Sequence, residues 1–212
     1  MRFRRKSAEV PETVEDSSEP QEEQVGPWDV DEMPAPPEGV ERVDLGSLLI
    51  LPSSGHELRL QVEESSGDVQ AVLMAGPDGA LELRAFAAPR HGDLWSEVRP
   101  QIAADMARRG GTATEQEGAF GTELHCELTR TLEDGRTAKQ HSRILGINGS
   151  RWLLRATLIG APARGGEGVA AWEDLVRTVV VRRGEGPMPV GEPLPLSLPE
   201  NARRVERRGT TT

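Results

Sequence analysis

The chain has 212 residues, an apolar share of 36% and a formal net charge of −10, which points to one domain with appendages. A single cysteine, Cys126, excludes an internal disulfide framework and a cysteine-built zinc cage. No apolar run reaches the ~18 residues that a membrane span needs, and the basic start (Arg2, Arg4, Arg5, Lys6) has no apolar run behind it to make a secretory signal; the expectation is a cytoplasmic protein without a membrane partner.

The charge is unevenly placed. Residues 7–44 hold thirteen acids and one base, whereas residues 45–212 hold 22 acids and 20 bases. The acidity belongs to the amino-terminal segment, and the rest is nearly neutral, without the overall basic balance of a nucleic-acid reader. Residues 1–38, rich in Glu, Pro, Ser and Gln, are expected to form a disordered acidic tail. One island interrupts it, Gly26-Pro27-Trp28-Asp29-Val30. Residues 185–212, with five prolines and then Arg203, Arg204, Arg207 and Arg208, are expected to form a second flexible tail. The folded domain is placed at 39–184.

Within it, residues 40–51 suggest a first strand. Leu58, Leu60 and Val62 alternate with Glu57, Arg59 and Gln61, the pattern of a half-buried strand. Ser66-Gly67 turns the chain into a more apolar strand over 68–76, and Pro77-Asp78-Gly79 turns it again into 80–88. A helix follows: Asp93 suits its N-cap, Leu94, Val98, Ile102 and Met106 form one stripe, and Gly110-Gly111 ends it. Pro100 inside this span removes one backbone donor and is expected to kink it. Strands at 112–120, 122–132, 137–147 and 150–160 come next. Asp134-Gly135 and Asn148-Gly149 read as two-residue hairpin turns between the last three. A short helix over 168–176 and a strand over 177–183 close the domain. Segregated strands and helices argue for an α+β fold, a mainly antiparallel sheet packed with two helices.

Four segments carry a family resemblance: Gly26-Pro27-Trp28-Asp29, Leu94-Trp95-Ser96-Glu97-Val98, Arg151-Trp152-Leu153-Leu154-Arg155 and Trp172-Glu173. In these the chain resembles an uncharacterised actinobacterial family of unknown function, over about 26–184. The resemblance brings no activity with it. Family genes beside those for a dUTPase and a small OB-fold protein imply nucleotide or nucleic-acid housekeeping. The order of elements is also similar to the PsbP-like α/β sandwich, which implies binding or assembly roles more than catalysis, although a fold does not fix a function.

Two-residue turns make paired positions sum to 269 and 297. Cys126 then faces Arg143, Leu128 faces His141, and Leu145 faces Trp152 across the strands. One core face would carry Leu124, Cys126, Leu128, Leu145, Trp152 and Leu154 together with His141 and Arg143. Two readings of that face stand open. The sharper one is a Cys126–His141–Arg143 pocket, in which an imidazole activates a thiol and a guanidinium holds an anion. The plainer one is a strand overhang, or a bulge, that leaves His141 and Arg143 in water.

His56, His91, His125 and His141 show no metal-ligand spacing, so no metal is expected. Gly165-Gly166-Glu167-Gly168 lacks the Lys-Ser/Thr of a phosphate loop, and no cofactor is expected. Trp28, with Pro27 and Asp29, reads either as a docking segment for a partner protein or as an extension of the chain's own sheet. The leading expectation is a non-catalytic accessory or interaction protein that binds a protein partner through its sheet or groove and its tails. The rivals are a small-anion-binding or hydrolytic enzyme built on the Cys126 pocket, and a weak nucleic-acid binder using Arg130, Arg136, Lys139 and Arg143.

Overall fold

The computed structural model describes residues 26–131 and 135–199. Most of the acidic tail, the Arg203–Arg208 cluster and Asp134 lie outside the described residues. In chain order the strands are β1 (Trp28–Asp29), β2 (Val43–Asp44), β3 (Leu48–Ile50), β4 (Glu57–Val62), β5 (Val69–Ala75) and β6 (Gly79–Ala87). Then come helix α1 (Leu94–Arg108), strands β7 (Thr112–Gly118), β8 (Gly121–Thr131), β9 (Thr137–Asn148) and β10 (Trp152–Gly160), helix α2 (Val169–Arg177) and β11 (Val180–Val181). The fold is α+β with largely antiparallel sheets, as the order of elements implied.

The strands form two sheets. One has the order β1-β11-β3-β2, and the other, of seven strands, runs β4-β5-β6-β10-β9-β8-β7. The expected first strand over 40–51 is split, because Gly46 takes φ 82° and turns the chain back so that β2 pairs with β3. The only parallel pairing among the described strands is β1 with β11.

Each face of the large sheet carries a buried cluster, which gives three layers instead of one core. On one face Leu81, Leu83, Leu145, Trp152, Leu154 and Leu158 pack against the small sheet and the Trp172–Leu175–Val176 stripe of α2. On the other, Leu124, Cys126, Ile144 and Leu153 pack against Leu94, Trp95 and Met106 of α1. Helix α1 runs unbroken across Pro100 from Leu94 to Arg108. Asp93 caps it, accepting a hydrogen bond from the Ser96 backbone at 3.0 Å, and Asn148 Nδ2 donates to the same carboxylate at 2.7 Å. The Trp95 ring lies flat against Gly146, where any Cβ would strike it, and its Nε1 donates to the Thr122 carbonyl at 2.6 Å.

The ends of the expected domain move outward. Trp28 N donates to the Val179 carbonyl (2.9 Å) and Val30 N to the Val181 carbonyl (3.0 Å), so chain before residue 39 belongs to the fold. The proline-spaced segment expected to be a loose tail is docked as a strap. Leu194 is 3% exposed. Its N–H donates to the Ala85 carbonyl, Ala87 N–H donates to the Glu192 carbonyl, and Ser197 N–H donates to the Leu45 carbonyl of the other sheet. The strap lies where β5 parts from β6, since those strands pair only over Val72–Ala75 and Ala80–Leu83.

Candidate functional site

The expected Cys126–His141–Arg143 pocket does not form. Thr131 pairs with Thr137, where a two-residue turn at 134–135 would pair it with Ala138. Paired positions of β8 and β9 therefore sum to 268, and shifting one strand by one residue sends its side chains to the opposite face. Cys126 faces Ser142 under α1, while His125 faces Arg143 and Glu127 faces His141 on the other side. Leu124 consequently lies on the opposite face from Leu145 and Trp152. The β9–β10 connection also differs, with sums of 301 in place of 297. That change is even, so the faces of β9 and β10 stay as expected.

The observed register wins on both faces. It gathers Leu124, Cys126 and Leu128 against the apolar stripe of α1. It also sets Glu123, His125 and Glu127 among Lys139, His141 and Arg143. Cys126 is 3% exposed; burial pushes its thiol up, with the Ser142 hydrogen bond working the other way. His141 Nδ1 lies 3.8 Å from a Glu127 oxygen, and Lys139 Nζ lies 2.7 Å from the other.

Arg143 is instead the centre of a buried ionic lock. Its Nε and one terminal nitrogen donate to the two oxygens of Glu123 at 2.5 and 2.9 Å. The same terminal nitrogen donates to Glu173 of α2 at 2.6 Å. His125 Nε2 lies 2.6 Å from Glu123 Oε1. The Arg143, Glu123 and Glu173 side chains are 7%, 3% and 13% exposed. Burial works against the Arg143 charge, but the hydrogen bonds and charges of the two carboxylates outweigh it and hold the guanidinium above its ordinary value. Gly118 leaves the room that the Glu123 carboxylate fills. With Nε and one terminal nitrogen of Arg143 turned to carboxylates, the group ties α2 to β8 and β9.

The hairpin cations do not make one surface. Arg130 faces the α1 side of β8, Lys139 and Arg143 the other, and both of the latter are ion-paired. Trp28, Pro27 and Asp29, read as docking residues, form a half-buried edge of the chain's own small sheet. Asp29 Oδ2 accepts a hydrogen bond from Trp152 Nε1 at 2.9 Å. The self-docking alternative thus describes their positions. Among the described residues no group of three or more His, Cys, Asp or Glu is arranged to hold a metal ion, and no helix is long and apolar enough to cross a membrane.

One surface was expected only as an unspecified sheet or groove. Helix α1 packs over β7, β8 and β9 and its cluster takes in Leu153 and Phe86 at the near ends of β10 and β6, so among the described residues the same face of β4, β5 and the rest of β6 and β10 has no helix above it. Rows of paired residues cross it: Arg59, Leu73, Glu82 and Thr157 in one, Arg84 and Arg155 in the next, Phe86 beyond. Leu73, Phe86, Thr157 and Ile159 are all half-buried, and Arg59 and Gln61 are exposed. The Arg155 guanidinium stacks over Phe86, 5.3 Å from the ring centre, and lies 3.9 Å from its nearest carboxylate, Glu82. Arg84 donates to the carbonyl and side-chain oxygens of Gln70, at 2.8 and 3.3 Å, and to no acid. In β4 and β6 the positions between core residues include Glu57, Arg59, Gln61, Glu82, Arg84 and Phe86, an alternation that a covered strand shares.

The solution structure of cyanobacterial PsbP (CyanoP) from Synechocystis sp. PCC 6803 is similar at 13% identity and a TM-score of 0.39, covering 71% of this chain and 99% of that one. No curated protein matches. A family model described as "Protein of unknown function (DUF3710)" matches residues 26–205, from the β1 strand through the docked strap, and the chain belongs to that family.

Proposed function

We propose that this chain is a non-catalytic accessory protein that receives a partner protein on the helix-free half of its large sheet. The observation that carries the reading is the uneven cover of that sheet. One part is sealed by α1, with Phe86 at its margin, and the other presents half-buried Leu73, Thr157 and Ile159 beside charged Arg59, Glu82, Arg84 and Arg155. An antiparallel sheet can leave one face to water. Apolar and aromatic side chains standing among arginines are, however, the residue mixture enriched in interface cores. The strap supports the reading in another way, because its hydrogen bonds to Ala85 and Ala87 fix β6 beside this face. A binding face fixed before encounter spends little free energy on ordering.

The test is site-specific photo-cross-linking in cells. A photoreactive residue at Gln61 or Thr157 is expected to give a discrete adduct, whereas one at Glu38, exposed beyond the small sheet, gives none. Absence of adducts from both face positions, or an equal pattern at Glu38, would overturn the proposal.

A further inference from the structure

The open face contains an arrangement that the fold alone does not favour. Arg84 of β6 and Arg155 of β10 are directly opposite each other in the antiparallel ladder. Side chains so placed stand about 5 Å apart at Cβ, and like charges there are destabilising. Among the described residues the one carboxylate within 4 Å of either guanidinium is Glu82, and at 3.9 Å from Arg155 it is beyond hydrogen-bond reach. Glu82 also accepts a hydrogen bond from Gln61 at 3.3 Å. Arg59 adds no free charge, because it pairs with Glu57 at 2.6 Å. The local balance of Arg84, Arg155 and Glu82 is therefore one positive charge. Burial, and then the charge of Arg84, holds the Arg155 guanidinium below its ordinary value, with Glu82 acting in the opposite sense. Elsewhere in the described structure the buried arginine, Arg143, is hydrogen-bonded to two carboxylates; Arg155 is hydrogen-bonded to none.

Resting on the reading that this face takes a partner protein, we propose that the occupant is an acidic peptide segment with apolar neighbours, one carboxylate of which bridges Arg84 and Arg155. A carboxylate accepts from two guanidiniums at once, and such charge-assisted bonds are about twice as strong as neutral ones. It would also remove the like-charge contact. Phe86, already under Arg155, and Leu73 supply apolar footing on either side. A polynucleotide fits less well. Its repeating charges would cross a face holding one net positive charge and bordered by Glu57, Glu82 and Asp68, the last at the mouth of a cleft of about 230 Å³ between Arg84 and the strap.

Fluorescence anisotropy of the full chain tests this with three labelled probes: a peptide alternating glutamate and leucine, the same peptide with glutamine for glutamate, and a short oligothymidylate. The glutamate peptide is expected to bind saturably and to weaken as salt rises. The glutamine peptide is expected to bind at least about tenfold more weakly, the ~1.4 kcal/mol scale of a single charge-assisted contact. Arg84→Gln and Arg155→Gln should each cost a similar factor, Arg155→Lys less, and Arg108→Gln on exposed α1 nothing. Thermal melts guard against misfolding, since relieving the Arg84–Arg155 contact should leave the melting temperature unchanged or raised. Equal affinity for both peptides, indifference to either arginine, or tighter binding of oligothymidylate would sink the proposal. Adducts from Gln61 or Thr157 that persist in Arg84→Gln would then leave the face reading standing and this one refuted. If those adducts are missing from the unaltered chain, both fall.

Discussion

Replacing Arg143 by methionine tests the ionic lock most directly. The side chain is 7% exposed and makes a forked contact with Glu123, which is 3% exposed, and a third bond to Glu173 at 13%. Methionine keeps much of the volume but leaves two carboxylates facing a cavity without a cation. Breaking a buried pair by removing one partner costs about 3–5 kcal/mol, because the remaining charge stays desolvated. By contrast, an exposed pair such as Arg59–Glu57, at 54% and 57%, contributes about 0–1 kcal/mol. With a urea slope of about 2 kcal/mol/M, the midpoint should fall by roughly 1.5–2.5 M. That is a large part of the ~5–15 kcal/mol that holds a domain together. Adding Glu123→Gln to Arg143→Met should recover part of the loss, since it removes the more deeply buried of the two orphaned charges. A single substitution costing under about 1 kcal/mol, or a double variant less stable than the single, would show that the triad is not desolvated as described.

Two other outcomes follow from the fold. Asp93 accepts from the Ser96 hydroxyl and backbone, and these bonds hold its carboxyl below the usual range. A depressed folded value means stability that is present above the unfolded pKa and lost as pH falls through the folded one. Asp93→Ala should thus cost about 1 kcal/mol near neutrality, and urea midpoints of the two chains should converge in strong acid; a constant gap across pH would contradict the cap. Leu194→Ala should cost about 2–4 kcal/mol if the strap is core, and limited proteolysis should then cut first within 185–199; a neutral substitution would return that segment to the tail.

Much of the fold was legible because it rests on periodicity. The α1 stripe, its Asp93 cap and Gly110 stop, and the alternation in β4, β6 and β10 all depend on neighbours in sequence. Register was not legible, because it depends on how many residues a connection uses. Asp-Gly at 134–135 suggested two, and the pairing of Thr131 with Thr137 departs from that by one. A stronger signal lay in the strands themselves: Glu123, His125 and Glu127 complement Lys139, His141 and Arg143 in one parity only. The strap was missed for a similar reason. Proline spacing reads as a linker, yet Pro193-Leu194-Pro195-Leu196 also alternates, leaving a leucine N–H free to bond on one side. The open face was unreadable until the reach of α1 over the sheet was known, since half-buried and fully buried strands share the same alternation.

The strap has a consequence for how the molecule assembles. Leu194 meets Ala85 across more than a hundred positions of sequence, a separation whose closing entropy must be met before the contact gives anything back. Until it arrives, the backbone of Ala85–Ala87 is a raw seam in mid-sheet, open to any stray extended segment. The order of synthesis therefore leaves the most adhesive stretch of the large sheet waiting for almost the last described residues to shield it.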